Sequence, residues 1–150
     1  MFSKEESRQI VKHFWTSFGV YMRKHESATG NPVKWLNYNT GVKDIFFRTR
    51  FERKYAEVCV ELNYTDKDLL ELNNSQFFEL KSTFEDLIPM KLNWLEDKND
   101  PVVLYKQMPD VSIFNKDDWQ KVFLFFEEFL TGIDEWWSFV YDIFKELEVK

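Results

Sequence analysis

The chain is poor in the residues from which most catalytic and metal-binding signatures are built. Among 150 residues there are one cysteine, two histidines, four glycines and four prolines. A single thiol, Cys59, excludes an internal disulfide, and no charged, apolar and small-residue signal opens the sequence, so the cytoplasm is the expected compartment. His13 and His25 lie on one predicted helix with no cysteine or third histidine beside them, which is not a spacing that metal ions use. Gly19, Gly30, Gly41 and Gly132 are scattered and make no phosphate-cradling loop, and neither a His-Glu-x-x-His helix nor a serine elbow occurs. No run approaches the roughly 20 apolar residues of a membrane span, because Glu127, Glu128, Asp134 and Glu135 interrupt the most apolar segment. No membrane contact and no cofactor are expected.

Aromatic side chains are abundant instead: 19% of the chain, sixteen of them Phe. With 31% charged residues this is the composition of a folded globular domain, and the length fits a single domain spanning residues 1–150. The charge is unevenly divided. Residues 1–54 carry eleven Lys and Arg against five acids, whereas residues 55–150 carry nine against twenty-one, so a net +6 precedes a net −12. A basic third joined to an acidic body implies a face that attracts anions, either nucleic acid or an acidic protein.

Periodicity gives the elements. Ser3-x-x-Glu6 has capping-box spacing, and Ile10, Phe14, Phe18 and Tyr21 recur at helical intervals, predicting a helix from Ser3 to His25. Gly30 and Pro32 end that region. Three strands are then expected at Val33–Tyr38, Val42–Phe51 and Tyr55–Tyr64, followed by a helix over Thr65–Ile88 with a candidate break at Asn73, Asn74 and Ser75. Two short strands follow, at Met90–Glu96 and Val102–Met108. After Asn115, a suitable N-cap, the positions Trp119, Val122, Phe126, Phe129, Ile133, Trp136, Val140, Ile143 and Leu147 step by threes and fours along one long helix. Such an aromatic stripe is expected to cover a sheet, with Gly132 a candidate kink. Off the stripe, Leu124, Phe125 and Phe139 form a candidate partner patch, through which the C-terminal helix could self-associate. The fold class is therefore α+β, a mostly antiparallel sheet covered by helices in the order α-β-β-β-α-β-β-α.

A turn at Glu52 and Arg53 would place Phe47 across from Val58, Arg48 beside Glu57, and Asp44 beside Glu61. The first charged pair is favourable and the second repulsive, and since Glu-Arg is a poor two-residue turn, a different loop would shift the pairing. Lys43, Arg48, Arg50, Arg53 and Lys54, with Phe46 and Tyr55 nearby, are the candidate anion-binding residues.

The run from Leu80 to Leu147 includes Phe84-Glu85-Asp86-Leu87-Ile88, then Leu92-Asn93-Trp94, then the aromatic helix ending Asp142-Ile143-Phe144. It resembles the bacterial and archaeal family known as domain of unknown function 4268, as do Phe14-Trp15 and Val58-Cys59-Val60-Glu61-Leu62. Members often form the C-terminal part of longer proteins, some with nuclease-like regions ahead of them. The resemblance therefore implies an accessory role near nucleic acid and carries no catalytic residues, and with no catalytic signature in the chain a non-enzymatic interaction module is the expected reading. The element order is also similar to the PD-(D/E)-x-K nucleases, which place metal-binding acids on the second and third strands. Asp44, Glu57 and Glu61 occupy comparable places and would hold Mg²⁺ under that alternative. The lysine of the motif is missing: Cys59 follows Glu57 by two residues, and Asn63 follows Glu61.

Overall fold

Ser3 starts α1 (Lys4–Met22) as its spacing requires, its hydroxyl accepting the Glu6 amide while the Glu6 carboxylate accepts the Ser3 amide, both at 3.1 Å. In the computed structural model, which describes residues 2–148, the chain continues as β1 (Ile45–Phe51), β2 (Tyr55–Leu62), α2 (Lys67–Glu79), α3 (Lys81–Leu87), β3 (Asn93–Trp94), β4 (Val102–Pro109) and α4 (Trp119–Leu147). The fold is α+β, with one antiparallel sheet of order β1-β2-β4-β3 and a long aromatic C-terminal helix.

Alternation builds the two faces of the sheet. Ile45, Phe47 and Phe51 of β1 and Ala56, Val58, Val60 and Leu62 of β2 are buried. They lie beneath α1 and α4, where Phe14 meets Phe51 at 4.8 Å and Trp137 meets Phe47 edge-on at 5.2 Å between ring centroids. Arg48, Arg50, Glu57 and Glu61 project to the opposite face and stay partly exposed. The α4 stripe is thus core within this one chain as far as Val140: Trp119, Val122, Phe126, Phe129, Ile133, Trp136 and Val140 are all buried, whereas Ile143 is exposed and Leu147 half-buried, and Phe144 takes the buried position in the last turns.

Several boundaries differ from the sequence expectation, each for a local reason. Val33–Tyr38 makes no strand. It carries a single 3-10 turn at Trp35–Asn37, and the three-residue spacing brings Trp35 and Tyr38 to the same side, their rings 6.2 Å apart. β1 begins at Ile45, because Asp44 has φ 69°, a left-handed conformation that cannot continue a strand. The break between α2 and α3 falls at Leu80; Asn73 and Asn74 instead lie mid-helix on the buried face of α2, between Leu70 and Phe77. Asp66 caps α2, accepting the amides of Asp68 and Leu69. Gly132 is required by close approach: a Cβ there would lie 2.8 Å from Ile88 Cγ1 and 3.1 Å from the Leu87 carbonyl oxygen.

Candidate anion-binding face

The β1–β2 hairpin sets the position of most candidate residues. Its turn is Arg53-Lys54, closed by the Glu52 amide donating to the Tyr55 carbonyl at 2.8 Å. Residues 110–113 hold this turn, the Asp110 amide donating to the Lys54 carbonyl and the Ile113 amide to the Glu52 carbonyl. The turn is one residue later than a Glu52-Arg53 turn, so every cross-strand partner moves by two. Phe47 faces Val60, Arg48 faces Cys59, and Arg50 faces Glu57. A shift of two preserves which side chains share a face, so the core assignment survives while the charged pairs change.

Those pairs make a network across the sheet face. Arg48 Nε donates to Glu61 Oε2 at 2.6 Å, Arg50 Nη1 to Glu57 Oε2 at 3.1 Å, and Arg50 Nη2 to Glu61 Oε2 at 3.2 Å. Gln107 of β4 adds a bond to Glu57 Oε1 at 3.0 Å. Arg50 also lies 3.4 Å from Cys59 Sγ, but burial pushes that thiol up to about 11, which keeps it protonated and unreactive at neutral pH. Two of the five candidate cations are therefore neutralised by their own sheet. The repulsion expected between Asp44 and Glu61 does not arise, since Phe46 faces Glu61 and Asp44 lies outside the strand. Glu57 and Glu61 are engaged by guanidinium groups, and among the described residues no three His, Cys, Asp or Glu side chains converge to hold a metal ion.

Of the remaining cations, Arg53 and Lys54 sit at the hairpin tip, whereas Lys43 precedes β1 at the other end of the strand, its amide bonded to Glu148 Oε2 at 2.9 Å. Lys43 and Lys54 are exposed, and the Arg53 guanidinium lies 4.7 Å from the Phe114 ring centroid. Across from Arg53, the solvent face of α1 presents Lys4, Arg8 and Lys12, and the four line one groove of about 810 Å³ with Phe2 and Val11. Glu5 is the only acid in that lining, and it is exposed and 3.9 Å from Arg8. The α1 cations stand four residues apart, the period of a helix face, which is their signal in the sequence; the charge count over residues 1–54 includes them without separating them from the strand cations.

Two acids on α4 serve the scaffold. Asp134 is buried and accepts from Ser27 Oγ, the Ala28 amide and Tyr38 Oη, fastening the α1–β1 connection to α4. Burial pushes the Glu127 carboxyl upward, but bonds from Tyr21, His25 and Lys24 outweigh it and hold the group below its ordinary value. The candidate partner patch divides: Phe125 is buried, whereas Leu124 and Phe139 are exposed but fifteen residues, or about 22 Å, apart along α4. No described helix is long and apolar enough to cross a membrane.

The chain belongs to the family described as Domain of unknown function (DUF4268), whose model matches residues 10–140. No curated protein and no solved structure matches it significantly.

Proposed function

We propose that this domain is a non-enzymatic accessory module that holds single-stranded nucleic acid in the groove between α1 and the tip of the β1–β2 hairpin. The observation that carries this reading is the groove lining, four cations against one acid in a chain whose net charge is −6. Phe2, nearly half exposed, stacks on Phe114 at 5.9 Å beside Arg53, so an aromatic surface on which a base could stack adjoins the phosphate-binding charges. The acidic remainder of the chain repels a long duplex and favours a short or single-stranded ligand. A cytoplasmic location suits such a ligand and the reduced state of Cys59.

Fluorescence anisotropy with a labelled oligonucleotide tests the reading. Binding should be largely independent of sequence and fall steeply with salt; four phosphate contacts on a single strand predict a log–log slope of about −3. Replacing Lys4, Arg8 and Lys12 together by Glu should abolish binding while circular dichroism stays unchanged, since these side chains contribute little to the core. Absence of wild-type binding at about 50 mM salt, where contacts to phosphate are strong, would exclude nucleic acid and leave an acidic protein as the occupant. Mg²⁺-dependent cleavage of the oligonucleotide would instead mark the nuclease-like alternative.

A further inference from the structure

β1 is an edge strand, and its outer rim is unpaired over three residues. Two bonds bracket the β1–β2 ladder: the Glu52 amide to the Tyr55 carbonyl, and the Asn63 amide to the Asp44 carbonyl, both 2.8 Å. Hydrogen-bonded and non-hydrogen-bonded pairs alternate in an antiparallel ladder, so Phe46, Arg48 and Arg50 turn their main-chain groups toward β2. The N–H and C=O groups of Phe47, Thr49 and Phe51 therefore point outward, and no hydrogen bond among the described residues uses them. At Ile45 the rim is closed, its amide bonded to the Val42 carbonyl at 3.3 Å and its carbonyl accepting from Thr40 Oγ1 at 2.9 Å. The open rim is not shielded by an outer strand, because the preceding segment folds as a 3-10 turn.

Beside this rim runs a trough. Val11 and Trp15 of α1, with Thr49 and Phe114, line a cavity of about 450 Å³. Trp15 also lines the neighbouring groove of about 740 Å³ that exposes Val20 and Leu36, so an apolar path continues along α1. On the opposite side of the strand, Arg48 bonds Glu61 through Nε alone, and its guanidinium lies over the Phe46 ring at 4.3 Å. Its two terminal nitrogens make no hydrogen bond among the described residues.

We infer that the β1 edge accepts an extended peptide as a fifth strand, one that alternates apolar and acidic residues. The pleat of an added strand sends one set of side chains over Trp15 and Val11 and the other beside Arg48, whose charge Glu61 balances but whose two terminal nitrogens still need acceptors, and a carboxylate on that side supplies them. A second copy of this chain is the poorer occupant. The one symmetric register that pairs the whole open rim, centred on Thr49, sets Arg48 opposite Arg50 of the other copy twice, and like charges directly opposed destabilise a strand pair, while registers centred on Phe47 or Phe51 leave part of the rim unpaired. The trough adjoins the nucleic-acid groove and shares Val11 and Arg53 with it, but the main-chain groups of Phe47, Thr49 and Phe51 lie outside that groove, so protection of their amides reports strand addition alone.

The test uses the whole chain and a capped synthetic peptide of alternating Glu and Val, matched in length to the seven residues of β1. Hydrogen exchange followed residue by residue in NMR spectra should show the Phe47, Thr49 and Phe51 amides slowed by at least about tenfold, while Phe46, Arg48 and Arg50 barely change. The same peptide N-methylated at alternate residues on its pairing edge should bind at least about tenfold more weakly, since main-chain bonds supply the affinity in strand addition. Replacing its Glu by Lys should weaken it in the same direction. No binding at millimolar peptide would overturn the inference, as would equal affinity for the N-methylated form. Slow exchange of the three amides in a peptide-free dimer would overturn it in favour of a second copy.

Discussion

Trp136→Ala probes the centre of the core and should be among the most costly single changes in the chain. The indole is fully buried, with Phe84 at 4.8 Å, Phe77 at 5.6 Å, Trp137 at 6.0 Å and Phe144 at 6.2 Å between ring centroids. Its Nε1 donates to Thr83 Oγ1 at 3.0 Å, so one side chain of α4 holds both α2 and α3. Truncation removes the buried ring area and leaves a cavity among rigid aromatic neighbours that collapse poorly, for a loss of about 3–5 kcal/mol. Against a total stability of about 5–15 kcal/mol that loss is large, and at about 2–4 °C per kcal/mol it lowers the melting temperature by at least about 6 °C. Trp136→Phe separates the contributions: it keeps a ring in the site and loses the hydrogen bond, while the Thr83 hydroxyl keeps its 2.7 Å bond to the Leu80 carbonyl. That variant should lose about half as much or less. Urea unfolding followed by far-ultraviolet circular dichroism measures both, and a Trp136→Ala loss under about 1 kcal/mol would refute the placement of this ring at the junction of the three helices.

Gly132→Ala should destabilise by about 1 kcal/mol, because the approach of the Leu87 carbonyl and Ile88 outweighs the better helix propensity of alanine; a gain in urea midpoint would mean that the end of α3 yields easily. Arg48→Glu combined with Arg50→Glu should lower stability by about 1–2 kcal/mol, since it gathers four carboxylates on the open sheet face, and 1 M salt should recover part of the loss in thermal melts. Glu127 has a lowered folded-state pKa, so its contribution is complete above the ordinary carboxylate value of 4.5 and disappears as pH falls through the lower folded value. Glu127→Gln should therefore be less stable at pH 7 and show a shallower loss between about pH 5 and pH 3, measured by urea midpoint against pH.

The parts of the fold legible in the sequence were those fixed by local chemistry or by a long repeated period. The capping box at Ser3 and Glu6 involves residues three apart and needs nothing else, and the α4 stripe repeats over eight turns, so neither depends on a distant partner. Val33–Tyr38 misled because Trp35 and Tyr38 are as compatible with a three-residue turn as with a strand. The choice is made by the buried Asp134, which binds Tyr38 and the Ser27–Ala28 segment from more than ninety residues away. The α2–α3 boundary misled for the opposite reason. Asn73 and Asn74 look like breakers, yet the Asn73 side chain bonds back to the Leu69 carbonyl four residues earlier at 2.8 Å, and the helix continues past it.

Charge was legible as a total per segment and illegible as a surface. The excess of +6 over residues 1–54 counts Arg48 and Arg50 at full value, whereas folding brings to them Glu57 and Glu61 from the acidic segment. Which carboxylate meets which guanidinium depends on the turn, and the turn is held by residues 110–113, over fifty positions further on. The hairpin register therefore cancels charge on the strand face and leaves it at the tip, where Arg53 meets the Lys4, Arg8 and Lys12 stripe of α1. An uneven charge sequence thus becomes a local anion-attracting groove only after the strand pairing has removed the cations that had a neighbouring acid. The same pairing parity leaves Phe47, Thr49 and Phe51 facing outward with unused main-chain groups, so the turn that locates the charge also determines which edge amides remain free.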